Sequence, residues 1–470
     1  MRKFRILKFF VLVAIFVFVV FFVVGNLSQA QSQAKGKPDK PPGKPKPEPK
    51  PCNNNGICEY EEYDSNSDSE DQPCADCLPK TYPPLMIDQD FLQIASKGWV
   101  ENNVFQFKCI GIDDFNGDTV GIYEDAWASD DIGISGRVVS IGDADNDGNK
   151  EIIAIVNYRV KGRKYDQKVF IFEAGSDGSP SWISPFFGNP SKDRIRDCAI
   201  GDADNDGNNE VILIKGHHIE IYRINYDYGD GSYAFSHVWT SPEHESDIAH
   251  NVYGLDVGDA DNDEYNEIVL AMFETGAPII WKKEGETWIS NTADSVPLEY
   301  WDPDISTLGI DVVRVRDADN VINESGERDN EIIAGGNNSR LMVWKYNDDT
   351  GHYELVFISD DLFGLTQGVD AGDIDGDGEN EIAIASSYED NLLYLFKYLG
   401  AGVGYQRVYS IPREGPEIGL SVGDLDGDGK AEIISTTQGI TIYEFIGPDI
   451  FSGYLMKTYN CAFGSYLEID

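Results

Sequence analysis

The stretch that decides the fold runs from Ser140 to Val156 and reads SIGDADNDGNKEIIAIV. Close copies read AIGDADNDGNNEVILI from Ala199, DAGDIDGDGENEIAIA from Asp370 and SVGDLDGDGKAEIIST from Ser421. An alternating segment precedes each acidic run and an apolar segment follows it, which is the pattern of two short strands joined by a polar loop. The same supersecondary unit is therefore repeated along the chain.

Two weaker copies complete the set. The copy from Asp256 has Glu264 where the others have glycine, and the copy from Arg314 carries an insertion after Asn320. The first aspartates of the six copies fall at positions 143, 202, 259, 317, 373 and 424, so the spacings are 59, 57, 58, 56 and 51 residues. A period in this range indicates stacked units that bury their apolar faces only against one another.

Each unit is expected to contain four short antiparallel strands, and four strands with such a period are typical of a β-propeller blade. A second register mark is an aromatic-x-serine pattern near the end of the unit, at Trp127, Trp182, Trp239 and Trp288. The six loops predict six blades, but Trp127 lies 55 residues before Trp182 and predicts one blade more. We therefore predict an all-β propeller of seven blades, with six as the alternative. The tail after Asn460 is expected to pair with the first strands and close the ring.

The acidic loop D-x-D-x-D-G-x-x-E offers oxygen atoms at positions 1, 3, 5 and 9, and position 7 can offer a backbone carbonyl. Calcium prefers six to eight such hard ligands, and glycine at position 6 permits the sharp turn. Without a cation the neighbouring carboxylates would repel one another. The alternative is a set of Asp/Asn/Gly turns that hold no metal. Several near-identical copies favour calcium binding.

The motif V-x-x-G-D-x-[DN]-x-D-G-x-x-[DE]-I resembles the FG-GAP/VCBS repeats of integrin α-subunit N-terminal domains and of many secreted microbial proteins. The resemblance covers about residues 100–470 and implies a propeller that holds about four to six calcium ions between the first two strands of its blades. The ligands that it implies at positions 1, 3, 5 and 9 are Asp143, Asp145, Asp147 and Glu151; Asp202, Asp204, Asp206 and Glu210; Asp259, Asp261, Asp263 and Glu267; Asp373, Asp375, Asp377 and Glu381; and Asp424, Asp426, Asp428 and Glu432. Position 7 carbonyls would come from Asn149, Asn208, Glu379 and Lys430.

Two loops depart from the motif. The loop from Asp317 keeps Asp317 and Asp319, but its insertion places Asp329 and Glu331 in doubt as ligands. The region around Asp114 keeps Asn116 and Asp118 but has no acid at position 9.

The N-terminal part has a different organisation. Residues 1–34 carry four basic residues before an apolar run at 9–24, which predicts a signal peptide or an uncleaved N-terminal anchor. Residues 35–51 form a Lys/Pro-rich linker with seven prolines and six lysines. Residues 52–80 hold four of the cysteines in a small cysteine-rich module, and residues 85–470 form the propeller. We therefore expect a secreted or cell-surface protein, with membrane anchoring only through residues 9–24.

An exported chain would fold in an oxidising compartment, in which disulfides form and persist. In the module, two disulfides are favoured over a zinc site, and their pairing is open. A disulfide between Cys109 and Cys461 would lock the closure of the ring, and Cys198 would then be a buried free thiol.

The net charge of the chain and its lack of catalytic motifs limit the classes of function that the sequence favours. The chain carries 82 acidic and 37 basic residues, a net charge of −45, and the part after residue 51 has 80 and 27, a net charge of −53. Such a surface disfavours nucleic-acid binding. No nucleophile, zinc-protease or nucleotide motif is present, so we identify no catalytic residue. The sequence predicts a non-enzymatic adhesion or recognition scaffold that binds an extracellular protein or glycan. The alternative is a secreted polysaccharide lyase or glycosidase, or a lectin, on the same scaffold. The oligomeric state is left open.

Overall fold

A computed structural model divides the chain into Met1–Lys80 and Thr81–Asp470. The residues that it describes all lie in the second unit and are 94–97, 107–113, 122–128, 135–160, 164–173, 180–184, 195–216, 218–227, 232–242, 252–272, 276–297, 309–322, 328–337, 339–362, 364–387, 391–412, 419–425, 428–436, 440–446, 453–459 and 467–469. The predicted signal segment or anchor, linker and cysteine-rich module lie outside this part, as do Asp114, Asn116, Asp426 and Cys461. The described part contains no apolar helix of membrane-spanning length.

The described residues form β-strands joined by turns and loops. The strands are β1 (Ile94–Lys97), β2 (Phe107–Asp113), β3 (Ile122–Ala128), β4 (Ser135–Gly142), β5 (Glu151–Val160), β6 (Lys164–Phe172), β7 (Trp182–Ile183), β8 (Ile195–Gly201), β9 (Glu210–Lys215), β10 (His218–Asp227), β11 (Ser232–Thr240), β12 (Val252–Gly258), β13 (Glu267–Met272), β14 (Ile279–Glu284), β15 (Thr287–Thr292), β16 (Ile310–Arg316), β17 (Glu331–Gly336), β18 (Met342–Asn347), β19 (His352–Ile358), β20 (Leu365–Gly372), β21 (Glu381–Ser387), β22 (Leu392–Tyr398), β23 (Tyr405–Pro412), β24 (Gly419–Gly423), β25 (Glu432–Thr436), β26 (Ile440–Phe445), β27 (Tyr454–Tyr459) and β28 (Leu467–Ile469).

Four consecutive antiparallel strands form each of six blades, which we number in chain order: blade 1 is β4 to β7, blade 2 is β8 to β11, blade 3 is β12 to β15, blade 4 is β16 to β19, blade 5 is β20 to β23 and blade 6 is β24 to β27. The first strands of successive blades contact one another, so they are the innermost strands. This arrangement confirms the predicted all-β propeller with four-stranded antiparallel blades.

A further four-stranded sheet joins the two ends of the described chain, in the order β28, β1, β2, β3. We call it the closing sheet. Its tail strand pairs antiparallel with β1, with Ile469 opposite Ile94, as the closure of the ring requires. The predicted number of seven blades is therefore wrong, and the stated alternative of six is correct. Trp127, which predicted one blade more, lies in β3 of the closing sheet, whose strands come from both ends of the described chain.

The apolar pattern of the second strand follows from its place between two neighbouring blades. In β9, Val211 and Leu213 pack with Ile153 of blade 1, while Ile212 packs on the opposite face with Leu255 of blade 3. Alternate residues of one strand therefore face two different blades. Because both faces are covered, these four residues of β9 and blade 1 are all fully buried, and the strand reads as a continuous apolar run.

The aromatic-x-serine pattern also has a packing role. Trp182 of blade 1 stacks on Phe235 of blade 2, and Trp239 of blade 2 stacks on Trp288 of blade 3. Ser184 accepts the N–H of Val169 through its hydroxyl at 2.8 Å and ties the fourth strand to the third. These contacts place the aromatic residues of the pattern between neighbouring blades. Cys198 is buried and forms no disulfide within the described part of the chain.

Candidate metal centres in the acidic loops

Each acidic loop joins the first strand of its blade to the second, and we number loops 1 to 6 by their blades. In loop 1, Asp143 Oδ1 accepts the N–H of Asp147 at 3.0 Å and its Oδ2 accepts the N–H of Gly148 at 3.1 Å. Asn146 and Gly148 have φ angles of 64° and 91°, the left-handed region in which Asn and Gly are best tolerated. The sequence D-x-D-N-D-G therefore forms a compact turn around its first carboxylate.

Loop 3 keeps this shape although Glu264 replaces the glycine of position 6. The Glu264 N–H still bonds to Asp259 Oδ2 at 2.9 Å, and the residue adopts a φ of 72°. A left-handed conformation costs a non-glycine residue roughly 1–2 kcal/mol. The hydrogen bonds of the loop hold that conformation despite its cost.

The glutamate at position 9 accepts hydrogen bonds from the backbone of its own loop. Glu151 is fully buried, and its Oε2 accepts the N–H of Ala144 at 2.8 Å and of Asp145 at 3.4 Å. Loops 3, 4, 5 and 6 make the same bond to the N–H of position 2, through Glu267, Glu331, Glu381 and Glu432. One oxygen of each of these carboxylates thus fixes its loop, and in loops 3, 4 and 5 the second oxygen contacts a lysine.

Five of the six loops bring three acidic residues together, with ligand atoms that all lie within 4.8 Å of one another. The groups are Asp143, Asp145 and Glu151; Asp202, Asp204 and Asp206; Asp259, Asp261 and Asp263; Asp317, Asp319 and Glu331; and Asp373, Asp375 and Glu381. Each group combines aspartates from positions 1 and 3 with one further acid. Most of the predicted ligands are therefore neighbours in space.

Other predicted ligands lie beside these groups rather than in them. Such residues are Asp147, Glu210, Glu267 and Asp377. The position 7 side chains of Asn149, Asn208 and Glu379 are exposed, which leaves the predicted role of their carbonyls untested. In loop 6, Asp424, Asp428 and Glu432 form no such group among the described residues, and Asp426 lies outside them.

The donor set fits a hard divalent cation. Within the described residues, buried oxygens without a hydrogen-bond partner occur at Asp145 Oδ2 and Glu151 Oε1 in loop 1, and at Asp373 Oδ1 in loop 5. A buried carboxylate oxygen without a hydrogen bond is costly unless a cation neutralises it. Calcium prefers ligands of this kind, so Asp and Glu oxygens at these positions would hold it.

Loop 4 corrects one expectation from the sequence. Its insertion is closed off by an Asp329 N–H bond to Val321 O at 3.2 Å. Glu331 then follows at the start of β17, and its Oε2 accepts the N–H of Ala318 at 2.9 Å and of Asp319 at 3.1 Å. Glu331 thus occupies the position 9 place that the insertion put in doubt, because the pairing of β16 with β17 sets Glu331 opposite Arg316 whatever the length of the loop between them.

Four loops contain a basic side chain that the sequence analysis missed. Arg223, Lys282, Lys345 and Lys397 each come from the third strand of a blade and contact that blade's loop. Lys282 Nζ lies 2.6 Å from oxygens of both Asp261 and Asp263. Burial opposes the charge of Lys282, but these hydrogen bonds outweigh burial and raise its pKa. The sequence signal that could have identified these residues is a basic residue directly after an aromatic residue in the third strand of the blade.

Loop 1 has the opposite charge at that place, because Glu173 follows β6. Burial, and then the charge of Glu173, raise the pKa of Glu151 to about 9. Burial, and then the charge of Asp145, raise the pKa of Glu173 to about 7. Among the described residues neither glutamate is paired with a basic side chain. Loop 1 therefore places two glutamates opposite each other where loops 2 to 5 have a glutamate and a basic residue.

Asparagines tie successive loops together, which we call the asparagine latch. Asn146 of loop 1 donates from Nδ2 to Asn209 O at 3.1 Å and accepts the Asn209 N–H, while Asn209 Nδ2 donates to Asp143 O at 2.8 Å. The same bonds join loops 2 and 3, 3 and 4, and 4 and 5. Loops 5 and 6 lack it because Gly376 replaces the asparagine, and an Ala431 N–H bond to Asp373 O substitutes.

Comparisons with known proteins agree with this architecture. The family model of the FG-GAP-like repeat matches residues 373–435, which span loops 5 and 6. No curated protein is significantly similar to the chain in sequence. A solved 6-phosphogluconolactonase candidate from Bacteroides uniformis is 10% identical, with a TM-score of 0.50, over 81% of this chain and 100% of its own. A second such candidate, from Bacteroides fragilis, is 11% identical with a TM-score of 0.50, over 81% and 98%. At this identity the likeness shows the fold alone.

Proposed function

Because the chain is an FG-GAP repeat β-propeller protein, we propose that it is an extracellular calcium-binding scaffold that recognises a protein or glycan and carries out no catalysis. The observation that carries this proposal is the recurrence of one acidic cluster in five loops, with buried carboxylate oxygens that lack hydrogen-bond partners. Repetition of this kind fits structural calcium sites that hold the first two strands of each blade together.

The charge of the chain supports the same proposal. Each loop contributes several carboxylates at one end of its blade, and like charges at such short distances destabilise the folded state. Binding of a divalent cation removes this repulsion. Even six calcium ions would leave a strongly acidic surface, since they contribute +12 against a net charge of −45.

An extracellular location is supported by the sequence of the N-terminal part. The basic residues before the apolar run at 9–24 favour export of the rest of the chain, and the Lys/Pro-rich segment at 35–51 would act as a spacer. Calcium is more readily available to weak sites outside the cell, where modules bind it with dissociation constants of roughly 10⁻⁴–10⁻³ M. The location and the metal proposals therefore agree with each other.

The loop end of the propeller is our candidate recognition face. Tyr265 of loop 3 is 54% exposed, and Ile322 in the insertion of loop 4 is 62% exposed. The asparagine latch joins these two loops through Asn262 and Asn330. Exposed aromatic and aliphatic side chains on latched loops provide an anchor for a partner, because interface energy concentrates in such groups.

The metal proposal is tested by thermal unfolding of the full chain in millimolar calcium and in excess chelator, with bound metal counted by elemental analysis. One site occupied at 1,000 times its dissociation constant adds about 4 kcal/mol, so several sites should lower the midpoint by many degrees on chelation. Magnesium, which prefers octahedral geometry, is the control and should stabilise less. Absence of both bound calcium and a shift would contradict the metal proposal.

The recognition proposal is tested by binding of the full chain to glycan arrays and to extracellular protein extracts, with and without calcium. We expect Tyr265→Ser combined with Ile322→Ser to abolish a calcium-dependent interaction, while Val356→Ser, on the outer strand β19 and 50% exposed, leaves it intact. Depolymerisation of a polysaccharide by the purified chain would contradict the non-enzymatic role and favour the lyase or glycosidase alternative.

A further inference from the structure

The innermost strands of the six blades and β28 contact one another in a closed ring around the axis of the propeller. We call the space that they enclose the central channel. Each innermost strand of a blade has a residue three positions before the first aspartate of its loop, and all but one of these residues are polar. In blades 1 to 6 they are Ser140, Ala199, Asp256, Arg314, Asp370 and Ser421. Polar side chains are therefore concentrated at one level of the ring, between apolar neighbours in the same strands.

The two aspartates of this row hold neighbouring blades together. Asp256 Oδ2 accepts the N–H of Val315 at 2.8 Å, and Asp370 Oδ2 accepts the N–H of Val422 at 2.9 Å. Each bond joins the innermost strand of one blade to the innermost strand of the next. The aspartates therefore contribute to the closure of the ring, and the arginine of the row requires a different explanation.

Blade 4 also differs from the other blades in the residue directly before the loop, which is Arg316. The other blades have glycine there, at Gly142, Gly201, Gly258, Gly372 and Gly423. A Cβ atom at Gly258 would lie 3.0 Å from Val315 Cγ1 of the next blade, which leaves no room for a long side chain. Blade 5 has Ala371 in the place of Val315, and this smaller side chain makes room for Arg316. Blade 4 therefore accommodates two arginines on one innermost strand.

Arg316 forms ion pairs with both neighbouring blades. Its Nη1 lies 3.2 Å from Asp256 Oδ2 of blade 3, and its Nε lies 2.9 Å from Asp370 Oδ1 of blade 5. The Arg316 side chain is 36% exposed, whereas Asp370 is buried. The two carboxylates therefore fix this guanidinium in place and are themselves occupied by it.

Arg314 lies two residues before Arg316 and so on the same face of β16. It is half-buried, and in the described part of the chain its guanidinium donates only to Val313 O, at 3.0 Å. A guanidinium has five N–H donors. Although the chain has 82 acidic residues against 37 basic ones, Arg314 has no acidic partner among the described residues. Most of its donors are therefore left for a ligand.

The chemistry around Arg314 indicates the class of that ligand. A guanidinium binds a carboxylate through two parallel hydrogen bonds, which is its strongest pairing. The Asp256 side chain is 17% exposed and can accept a hydrogen bond from a hydroxyl group. The polar row contains no aromatic or large aliphatic side chain, the groups that usually anchor a protein partner. A carboxylate combined with hydroxyl groups is the chemistry of an acidic sugar.

We propose that Arg314 forms a subsite in the central channel that binds the carboxylate of an acidic sugar. Arg314 makes the direct contact, and the ion pairs of Arg316 occupy the neighbouring aspartates, which leaves Arg314 for the ligand. This inference rests on the proposed recognition of a glycan and names the chemical class of that glycan. Because loop 4 follows Arg316 directly, the subsite adjoins the candidate recognition face.

The net charge of the chain is compatible with an acidic ligand. At physiological ionic strength, exposed charges more than about 8 Å apart are largely screened from each other. The guanidinium next to the ligand therefore outweighs carboxylates on distant blades. The carboxylates of loop 4 are closer, and calcium bound in that loop would offset them. We therefore expect binding of the acidic sugar to be stronger in calcium than in chelator.

The test measures binding of the full chain, in saturating calcium, to a uronic acid oligosaccharide and to its methyl ester, which has the same ring hydroxyls but no carboxylate. We expect the acid to bind about tenfold or more tightly than the ester. Arg314→Gln should weaken binding of the acid by about 10–100-fold, since hydrogen bonds to a charged group are lost. Arg314→Lys should lose less, because it keeps the charge but not the two parallel hydrogen bonds.

Arg407→Gln is the matched control, because it removes the same charge from the outer strand β23, where Arg407 is exposed and lies over the ring of Tyr394. It should leave the affinity for the acid unchanged. Arg314→Gln should bind as much calcium as the wild type and unfold at the same midpoint, since Arg314 forms no ion pair within the described chain. A loss of affinity with both properties intact would thus reflect the subsite and not the fold.

Three results would overturn the subsite: equal binding of the acid and the ester, an affinity for the acid that Arg314→Gln does not change, or Arg314-dependent binding of a polyglutamate peptide in place of the sugar. Glycan binding that Arg314→Gln preserves and the Tyr265→Ser and Ile322→Ser pair abolishes would overturn the subsite alone. A wild type that binds neither a glycan nor a protein would overturn the proposed recognition itself.

Discussion

The asparagine latch between loops 2 and 3 permits a quantitative prediction. Asn205 donates from Nδ2 to Asn266 O at 3.1 Å and accepts the Asn266 N–H at 2.7 Å. Its φ of 58° lies in the left-handed region, where asparagine is tolerated and alanine is strained. We expect Asn205→Ala to remove both hydrogen bonds and to introduce this strain at once.

The magnitude follows from these terms. Two hydrogen bonds contribute about 1 kcal/mol each, and the left-handed alanine adds about 1 kcal/mol. The free energy of unfolding should therefore fall by about 3 kcal/mol. Asn208→Ala is the control, because the exposed Asn208 side chain bonds only to Asp206 of its own loop, and its loss should cost about 0.5 kcal/mol or less.

The assay is chemical denaturation of the full chain in saturating calcium, with wild type and both variants measured together. A loss for Asn205→Ala that does not exceed the loss for Asn208→Ala would refute the reasoning. In that case the latch would be a consequence of blade packing and would contribute little to stability. A drop in the slope of the transition would show that neighbouring blades no longer unfold together.

Three further predictions concern the core, the pH dependence and loop 4. Ile212→Ala should lower the free energy of unfolding by about 2–5 kcal/mol, because Ile212 is fully buried between blades, whereas Ile289→Ala, 42% exposed, should have little effect in the same denaturation assay. Burial raises the pKa of Asp311 to about 7, so its protonated form stabilises the fold below about pH 4 and this contribution is lost as the pH rises through 7. Asp311→Asn should therefore stabilise the protein at pH 8, by up to about 4 kcal/mol, and have little effect at pH 4; an equal effect at both pH values in thermal unfolding would contradict this assignment. Glu331→Gln should weaken calcium binding by loop 4 and leave the number of ions bound by the other loops unchanged when bound metal is counted.

The repeat predicts much of the fold because the turn of each copy forms through contacts between residues that are close in sequence. The acidic run forms a turn through bonds between neighbours, such as the Gly148 N–H to Asp143 Oδ2, so the loop follows from six adjacent residues. The apolar second strands follow from burial on both faces. The closing sheet is harder to predict, since β1 and β28 are distant in sequence and lack the acidic motif, and only the spare tail indicates their pairing.

The site is only partly predictable for a related reason. Positions 1, 3 and 9 of a loop are local, and most of them meet in space as the motif implies. Glu331 was left in doubt because the motif counts residues, whereas the structure places this glutamate by the pairing of β16 with β17, which the insertion leaves intact. Lys345 and Glu173 were missed because they reach their loops across a strand pair that the motif does not include.

The two ways of neutralising a loop have different consequences for folding. An internal lysine such as Lys397 is present as soon as the chain is synthesised, so blades 2 to 5 can form with their loops compensated. In loop 1 a second glutamate, Glu173, takes this place opposite Glu151, and strand β4 of its blade contacts the closing sheet. Because binding to the native state alone shifts the folding equilibrium, calcium would act chiefly on the closure of the ring. An exported chain would then complete its propeller only where calcium is abundant, and the central blades would not need the ion to assemble.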